Sequence, residues 1–265
     1  MRVSIVGTGR AGSAMALFLD SLGIDLHYLV DLEIERAESI AEKLKNVKVA
    51  GPDALQYLDG AVILAVPDSA IREVFLELWH KNRAPEFYIH LSGMLDSVLF
   101  KEAENAGKAV ASVHPNIAFG DSTESSSQLL HTIFAIEGNE KAIGLLQEFL
   151  DRHSLKFMII SKDDKILYHA AAVVSANFPV ALAGLSFEVY RTIGIDERIA
   201  HSLVLSYLKD AAKLVYNGLP RDVITGPAIR GDKETVDTEA RALELLDSRL
   251  AEIYEKLSGI IDSWR

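Results

Sequence analysis

The chain contains no cysteine. Disulfides, thiolate nucleophiles and Cys-ligated zinc are excluded at once. Positive charge is in short supply: 27 Lys and Arg stand against 38 Asp and Glu, for a net charge of −11. That balance argues against nucleic acid or an anionic membrane surface as a main partner. Proline is scarce, at seven in 265 residues. Each one therefore marks a place where the chain is stopped or steered. The first strand pattern starts at residue 2, so no signal peptide is expected. The longest apolar run, Ile166 to Phe187, carries His169, Ser175, Asn177 and Pro179. A membrane span would be strongly disfavoured by those groups. It reads as a buried helix of a soluble, cytoplasmic protein. No His/Asp/Glu spacing suggests a metal site, and neither a G-x-S-x-G elbow nor a Walker sequence is present.

What is present begins at the amino terminus. Arg2 to Val6 is short, β-branched and apolar, as a buried strand should be. It runs into Gly7-Thr8-Gly9-Arg10-Ala11-Gly12, and Ala14, Leu17, Phe18 and Leu22 follow at helical spacing. Strand, G-x-G-x-x-G and helix together form the dinucleotide-binding fingerprint. Gly7 permits the tight turn, Gly9 lets backbone approach a pyrophosphate, and Gly12 lets the helix pack on the sheet. The phosphates would sit on the N–H groups at the helix's positive end. Asp31 stands nineteen residues after Gly12, at the end of the second strand. An acid there accepts hydrogen bonds from the adenosine ribose and repels a 2′-phosphate, which favours NAD. Arg10 and Arg36 are the cations that could serve a 2′-phosphate instead.

Strand and helix patterns alternate up to residue 160, which implies a parallel, doubly wound sheet. Residues 116–128 break the pattern and read as a surface loop able to act as a lid. From Ser161 the strand signal disappears and four helical segments follow. The expected organisation is an α/β protein: a Rossmann domain over 1–160 and an all-helical substrate and dimerisation domain over 161–265. The segment Ala170 to Gly184 is rich in alanine. Such a small-sided helix allows close helix–helix approach, either within the chain or in a homodimer.

Ligands of open parallel sheets bind beyond the carboxyl ends of the strands. Four turns should converge there: Gly7–Gly12, Val66-Pro67-Asp68, His90-Leu91-Ser92-Gly93 and His114-Pro115-Asn116. Val66, Pro67, Ser92 and Gly93 join the glycine loop as expected cofactor contacts. His114 is the expected proton donor, because imidazole titrates near neutrality. Asn177 lies beside Pro179, which leaves the Ser175 carbonyl without its helical donor. It is the expected group to orient substrate, with Ser92 and Arg230 also contacting it. Arg230 could clamp a carboxylate bidentately. His169 and Asp232 are the next candidates for the acid, although Asp232 also suits the N-cap of the helix starting at Lys233.

Several of these segments resemble a known family nearly end to end. They are Val6–Gly12, Ala65-Val66-Pro67-Asp68, His90-Leu91-Ser92-Gly93, Ser112–Asn116, Tyr168–Pro179 and Thr225–Asp232. The chain resembles the Rossmann-like NAD(P) oxidoreductases that carry a helical C-terminal domain of unknown function. The resemblance implies an NADP-dependent oxidoreductase, and some members are alternative ketopantoate reductases. More distantly, the layout resembles 6-phosphogluconate dehydrogenase-type enzymes, in which a helix Lys acts as general acid four residues before an Asn. Asn177 matches that Asn, whereas Val173 stands at the Lys position. The expected activity is hydride transfer between a nicotinamide and a small carbonyl compound, 2-dehydropantoate (ketopantoate) among them. An imine reductase of the pyrroline carboxylate type and a non-enzymatic dinucleotide-binding regulator are the alternatives.

Overall fold

The computed structural model describes residues 2–265. Eight strands form one sheet in the order β3-β2-β1-β4-β5-β6-β7-β8. The strands are β1 (Val3–Val6), β2 (Leu26–Val30), β3 (Lys48–Ala50), β4 (Ala61–Leu64), β5 (Phe87–His90), β6 (Ala109–Pro115), β7 (Ile133–Gly138) and β8 (Lys156–Ile159). The helices that connect them are α1 (Arg10–Ser21), α2 (Ile34–Ala41), α3 (Asp68–Lys81), α4 (Lys101–Asn105), α5 (Ser122–Leu129) and α6 (Glu140–Arg152). Two 3-10 turns, Pro52–Tyr57 and Ser97–Phe100, complete the covering layers.

Successive strand residues point to opposite faces of a sheet, and here both faces are buried. Ile5, Ile63, Ile89 and Ala111 pack beneath α1 and α6 in one core. Val6, Val62, Tyr88 and Val110 pack beneath α3 and α4 in the other. That second core is built around Phe75, whose ring lies 4.8 Å from Phe100 and 5.4 Å from Tyr88, centre to centre. Continuous apolar runs such as Ala61 to Leu64 therefore carry no polar alternation.

Two departures from the sequence reading concern the far edge. β7 runs antiparallel to β6, pairing Val113 with Ile136 and Pro115 with Phe134. The segment between them stays at the carboxyl end of β6, so the next strand has to run back. Within 116–128, expected to be a loop, lies helix α5. Asp121 caps it by accepting from the N–H groups of Thr123 and Glu124, and Ser125 and Leu129 are buried in its contact with α1. The polar composition that suggested a loop is the solvated face of this helix.

The chain divides into two compact units, Met1–Val173 and Val174–Arg265. The division falls inside α7 (Lys165–Thr192) rather than at residue 161, because the first turns of α7 pack on the β5 and β6 turns. The second unit holds the rest of α7, then α8 (Glu197–Asn217), α9 (Pro220–Val223), α10 (Pro227–Arg230), α11 (Lys233–Glu244) and α12 (Ser248–Asp262). Its buried residues, among those described, are Ala200, Ala228, Ala240, Ala251 and Ser258. No large apolar side chain is buried there. The expectation that Ile166 to Phe187 forms a buried helix is thus corrected: α7 is long and apolar enough to cross a membrane, yet its apolar window is 0% buried within this chain.

Truncating Phe75 to Ala should leave an aromatic-sized void and lower unfolding stability by about 3–5 kcal/mol, measured by urea denaturation.

Candidate active site

The glycine loop is shaped as the fingerprint requires. Gly7 turns with φ +94°, and a Cβ there would lie 2.6 Å from the Ala65 carbonyl oxygen on the neighbouring β4. A Cβ on Gly12 would overlap the Gly7 carbonyl. Gly9 differs, since a Cβ there would meet nothing within 4 Å. Its surroundings are open, and no side chain caps the first turn of α1. Those free N–H groups and that open space fit a pyrophosphate. A cavity of about 490 Å³ continues from the loop, lined by Gly7, Gly9, Asp31, Glu33, Val66 and Pro67, among others. It lies between β1 and β4, where the strand order reverses. Arg10 is exposed at the start of α1, beside Thr8 and Gly9 in an adjoining hollow, and Ala11 is half-buried next to it. These residues would hold a dinucleotide.

Two of the expected cofactor contacts are engaged elsewhere. Thr8 is buried, and its N–H and hydroxyl both donate to Asp31 Oδ2, at 2.6 and 2.7 Å. Asp31 Oδ1 accepts from the N–H of Glu33 at 2.9 Å. Burial raises the Asp31 pKa. The Thr8 hydroxyl, the N–H groups of Glu33 and Thr8, and Arg36 outweigh that and hold it below the usual carboxylate range. Asp31 therefore clasps the glycine loop to β2. One lone pair is left over for a ribose.

The β5 turn is equally self-contained. The Ser92 hydroxyl donates to Asp68 Oδ2 at 2.7 Å and accepts from the N–H groups of Met94 and Leu95. It has no capacity left for a substrate or cofactor, which corrects its expected role. His90 is fully buried: its Nε2 faces the Asp96 carbonyl at 3.1 Å, and its Nδ1 accepts from the Ser92 N–H at 3.3 Å. Burial pushes its pKa down to about 4.

Lys165, in the first turn of α7, was not singled out by sequence. It is buried, and its ammonium donates to the carbonyls of Ser92 and Gly93 at 3.0 and 3.4 Å. Burial lowers its pKa to about 8, against the pull of Glu137, Asp96 and Asp68. Glu137 is buried too, and accepts from the N–H and hydroxyl of Ser97 at 2.8 and 2.7 Å. Burial raises its pKa in spite of those bonds and of Lys165.

Above this network the expected histidines meet. The rings of His114 and His169 lie 5.9 Å apart, centre to centre. A Cβ added to Gly93 would fall 2.6 Å from His169 Nδ1 and 2.8 Å from His114 Nε2. The glycine is what allows both nitrogens to come so close. His169 Nδ1 is buried without a hydrogen-bond partner. His114 Nδ1 lies 2.8 Å from the Tyr168 hydroxyl, which donates to Asn116 Oδ1 at 2.7 Å. Burial, then Lys165, then His169, lower the His114 pKa to about 4. It is neutral at neutral pH, contrary to the simple expectation of an imidazolium donor. Tyr168 and Asn116 lie in segments that the sequence marks, the start of the Tyr168–Pro179 match and the His114-Pro115-Asn116 turn, but neither has a role of its own there, and Lys165 lies in none of them.

Three expected residues fall in the second unit. Asn177 is exposed on α7 and so has no buried amide to satisfy. Arg230 is exposed at the end of α10. Asp232 caps α11, accepting from the N–H and hydroxyl of Thr235 at 3.2 and 2.8 Å. That is the alternative weighed against catalysis for this residue. The described residues include no cluster of three or more potential metal ligands.

Comparison with other proteins agrees with this architecture. Residues 132–261 match the family model described as a domain of unknown function, DUF2520. Protein TM1727 from Thermotoga maritima superposes with a TM-score of 0.79 at 28% identity, covering 99% of this chain and 97% of that one. BF3122 from Bacteroides fragilis, a presumed NADP oxidoreductase by name, gives a TM-score of 0.79 at 20% identity, covering 99% and 98%. The 1-pyrroline-5-carboxylate reductase of Streptococcus pyogenes gives 0.65 at 18% identity, covering 99% and 98%. The likeness to the last two is one of fold. No curated protein matches the sequence.

Two outcomes are expected. Gly9→Val has room to fold but fills the pyrophosphate's place, so it should keep its thermal midpoint and lose dinucleotide binding in a titration. The buried His90 and His114 have folded pKa values below their unfolded value of 6.5. The unfolded chain then binds their protons first, and stability is retained above pH 6.5 and lost as pH falls toward 4. Denaturation across that window should show this loss, and His90→Gln should reduce its slope by about one proton.

Proposed function

We propose that this protein is an NAD(P)-dependent reductase that moves a hydride between a nicotinamide and a small carbonyl or imine compound. Reduction of 2-dehydropantoate and of a pyrroline carboxylate are the two models for it. The observation that carries the reading is one of placement. A glycine cradle beside the ends of β1 and β4 shares one sheet with His114, near the end of β6, and His169 on α7 meets His114 over the β5 turn at Gly93. When bound, the dinucleotide supplies the hydride; the chain supplies position, exclusion of water and control of protons. His114 and His169 are the groups that meet the reacting end of the substrate. Two of the structures of the same fold, BF3122 and the Streptococcus pyogenes reductase, carry oxidoreductase names, which supports this reading over a regulator that only binds a dinucleotide.

Cofactor choice follows from charge. Asp31, Glu33, Glu73 and Glu77 line the cavity against the single cation Arg36, which is paired with Glu33 at 2.6 Å. The excess of carboxylates repels a 2′-phosphate, so NADH should bind at least as tightly as NADPH. Calorimetric titration of both checks this, and tighter binding of NADPH would assign the 2′-phosphate to Arg10 or Arg36.

The helical unit is proposed to complete its core with a second copy of the chain. Val174, Phe178 and Val180 are 52–70% exposed on α7, and the unit buries no large apolar residue of its own. Light scattering should give a dimer, and Val180→Asp should shift it to monomer.

Turnover tests the activity. Each substrate model should be offered with NADH and with NADPH, and at least one pairing should oxidise the dinucleotide. His114→Ala should lower that turnover by ~10²-fold, the scale of a lost positioning contact, while leaving dinucleotide affinity nearly unchanged. Tight dinucleotide binding without turnover in any pairing would favour the regulatory reading instead.

A further inference from the structure

The backbone carbonyl of Ile133, at the start of β7, can only accept hydrogen bonds. The Asn116 side chain places its amide nitrogen 2.8 Å from that oxygen. Its Oδ1 is therefore the atom that faces Tyr168, and the Tyr168 hydroxyl donates to it. A phenol has one proton to give. The 2.8 Å contact between Tyr168 and His114 Nδ1 must then be donated by the imidazole. His114 is left with its proton on Nδ1 and a lone pair on Nε2. Nε2 is the nitrogen that overhangs Gly93 beside His169.

We propose that Tyr168 and Asn116 are positioning residues that hold His114 as a hydrogen-bond acceptor beside Gly93, and that the substrate is a protonated imine whose N–H donates to His114 Nε2. The proposal rests on the reductase reading and names its substrate class. Addition of a hydride to an iminium carbon moves the C=N π pair onto nitrogen and yields the neutral amine. The reductant is the reduced nicotinamide dinucleotide, which leaves oxidised. The nitrogen keeps the proton with which it arrived, so the protein neither gives nor takes one. The same addition to a ketone leaves an alkoxide that needs a proton, and a lone pair at Nε2 has none to deliver.

The surroundings keep His114 in this state. Lys165 and His169 on α7 disfavour a further positive charge on the ring, while Asp68 on α3 opposes them. Tyr168, on the same helix, is pushed up by burial and stays a neutral phenol at neutral pH. Two partners and a backbone carbonyl thus decide a tautomer that no single residue would fix.

The test uses the full-length protein, ¹⁵N-labelled at histidine, with NMR reporting the tautomer directly. His114 should be protonated on Nδ1 and should ionise below pH 5. Tyr168→Phe removes the acceptor of that proton, and Asn116→Ala lets the phenol turn and donate to Nδ1. Both should move the proton to Nε2. In parallel, 1-pyrroline-5-carboxylate and 2-dehydropantoate are offered with NADH and NADPH. The imine should be preferred by ~10²-fold or more in kcat/KM, and Tyr168→Phe should lower its kcat/KM by ~10–100-fold. A proton found on Nε2 in the unmodified protein, or faster reduction of the oxo acid, would overturn the proposal and leave the reductase reading standing. An Nδ1–H His114 with no turnover of either substrate would overturn the reductase reading, and the substrate class with it.

Discussion

Lys165 buries an ammonium group against the carbonyl oxygens of Ser92 and Gly93, and the geometry of the crevice depends on that contact. A buried cation is expensive unless it is paired and hydrogen-bonded. Here two carbonyls accept from it, and Glu137, Asp96 and Asp68 surround it with opposite charge. The contact joins the first turn of α7 to the β5 turn. Tyr168 and His169, one turn further along the helix, are thereby delivered to His114 at the end of β6. Without Lys165 in this position, the two imidazoles and the phenol would have no reason to share one corner.

The same arrangement sets the electrostatics of the site. A desolvated ammonium close to His114 disfavours protonation of the ring, and burial acts in the same direction. The acids that balance Lys165 are themselves tied down: Asp68 by the Ser92 hydroxyl, Glu137 by Ser97. What looks like a set of reactive groups is, for the most part, a closed hydrogen-bond network. The nitrogens without a partner, His114 Nε2 and the buried His169 Nδ1, lie together over Gly93.

At the end of β2, Asp31 plays a comparable part for the glycine loop. Both hydrogen bonds from Thr8 converge on one carboxylate oxygen and the Glu33 amide takes the other. The loop is thus pre-organised before any ligand arrives, which reduces the conformational freedom lost on binding. The same carboxylate lines the cavity beside the loop, so loop order and the proposed cofactor preference rest on one side chain.

By itself the sequence determined the layers. Periodicity of two and of 3.6 residues, apolar runs and the spacing of three glycines are local signals, and they specified the sheet, the covering helices, the dinucleotide cradle and the convergence of four strand ends. His114 and Gly93 were legible as neighbours because strand ends of a parallel sheet meet at one edge, whereas the meeting with His169, on α7, was not. What only the tertiary structure decided is which polar atoms are already taken. Ser92, Thr8, Asp31 and Asp232 carry the right chemistry for a ligand, but their oxygens are largely or wholly engaged by neighbours up to 24 residues away. Lys165 lay outside every motif, and Tyr168 and Asn116 lay in marked segments without a role of their own, because the importance of all three arises from pairings 52 to 73 residues apart. No local pattern records such pairings. The direction of β7 was equally beyond local reading, since strand polarity is set by where the connection ends, not by the residues of the strand.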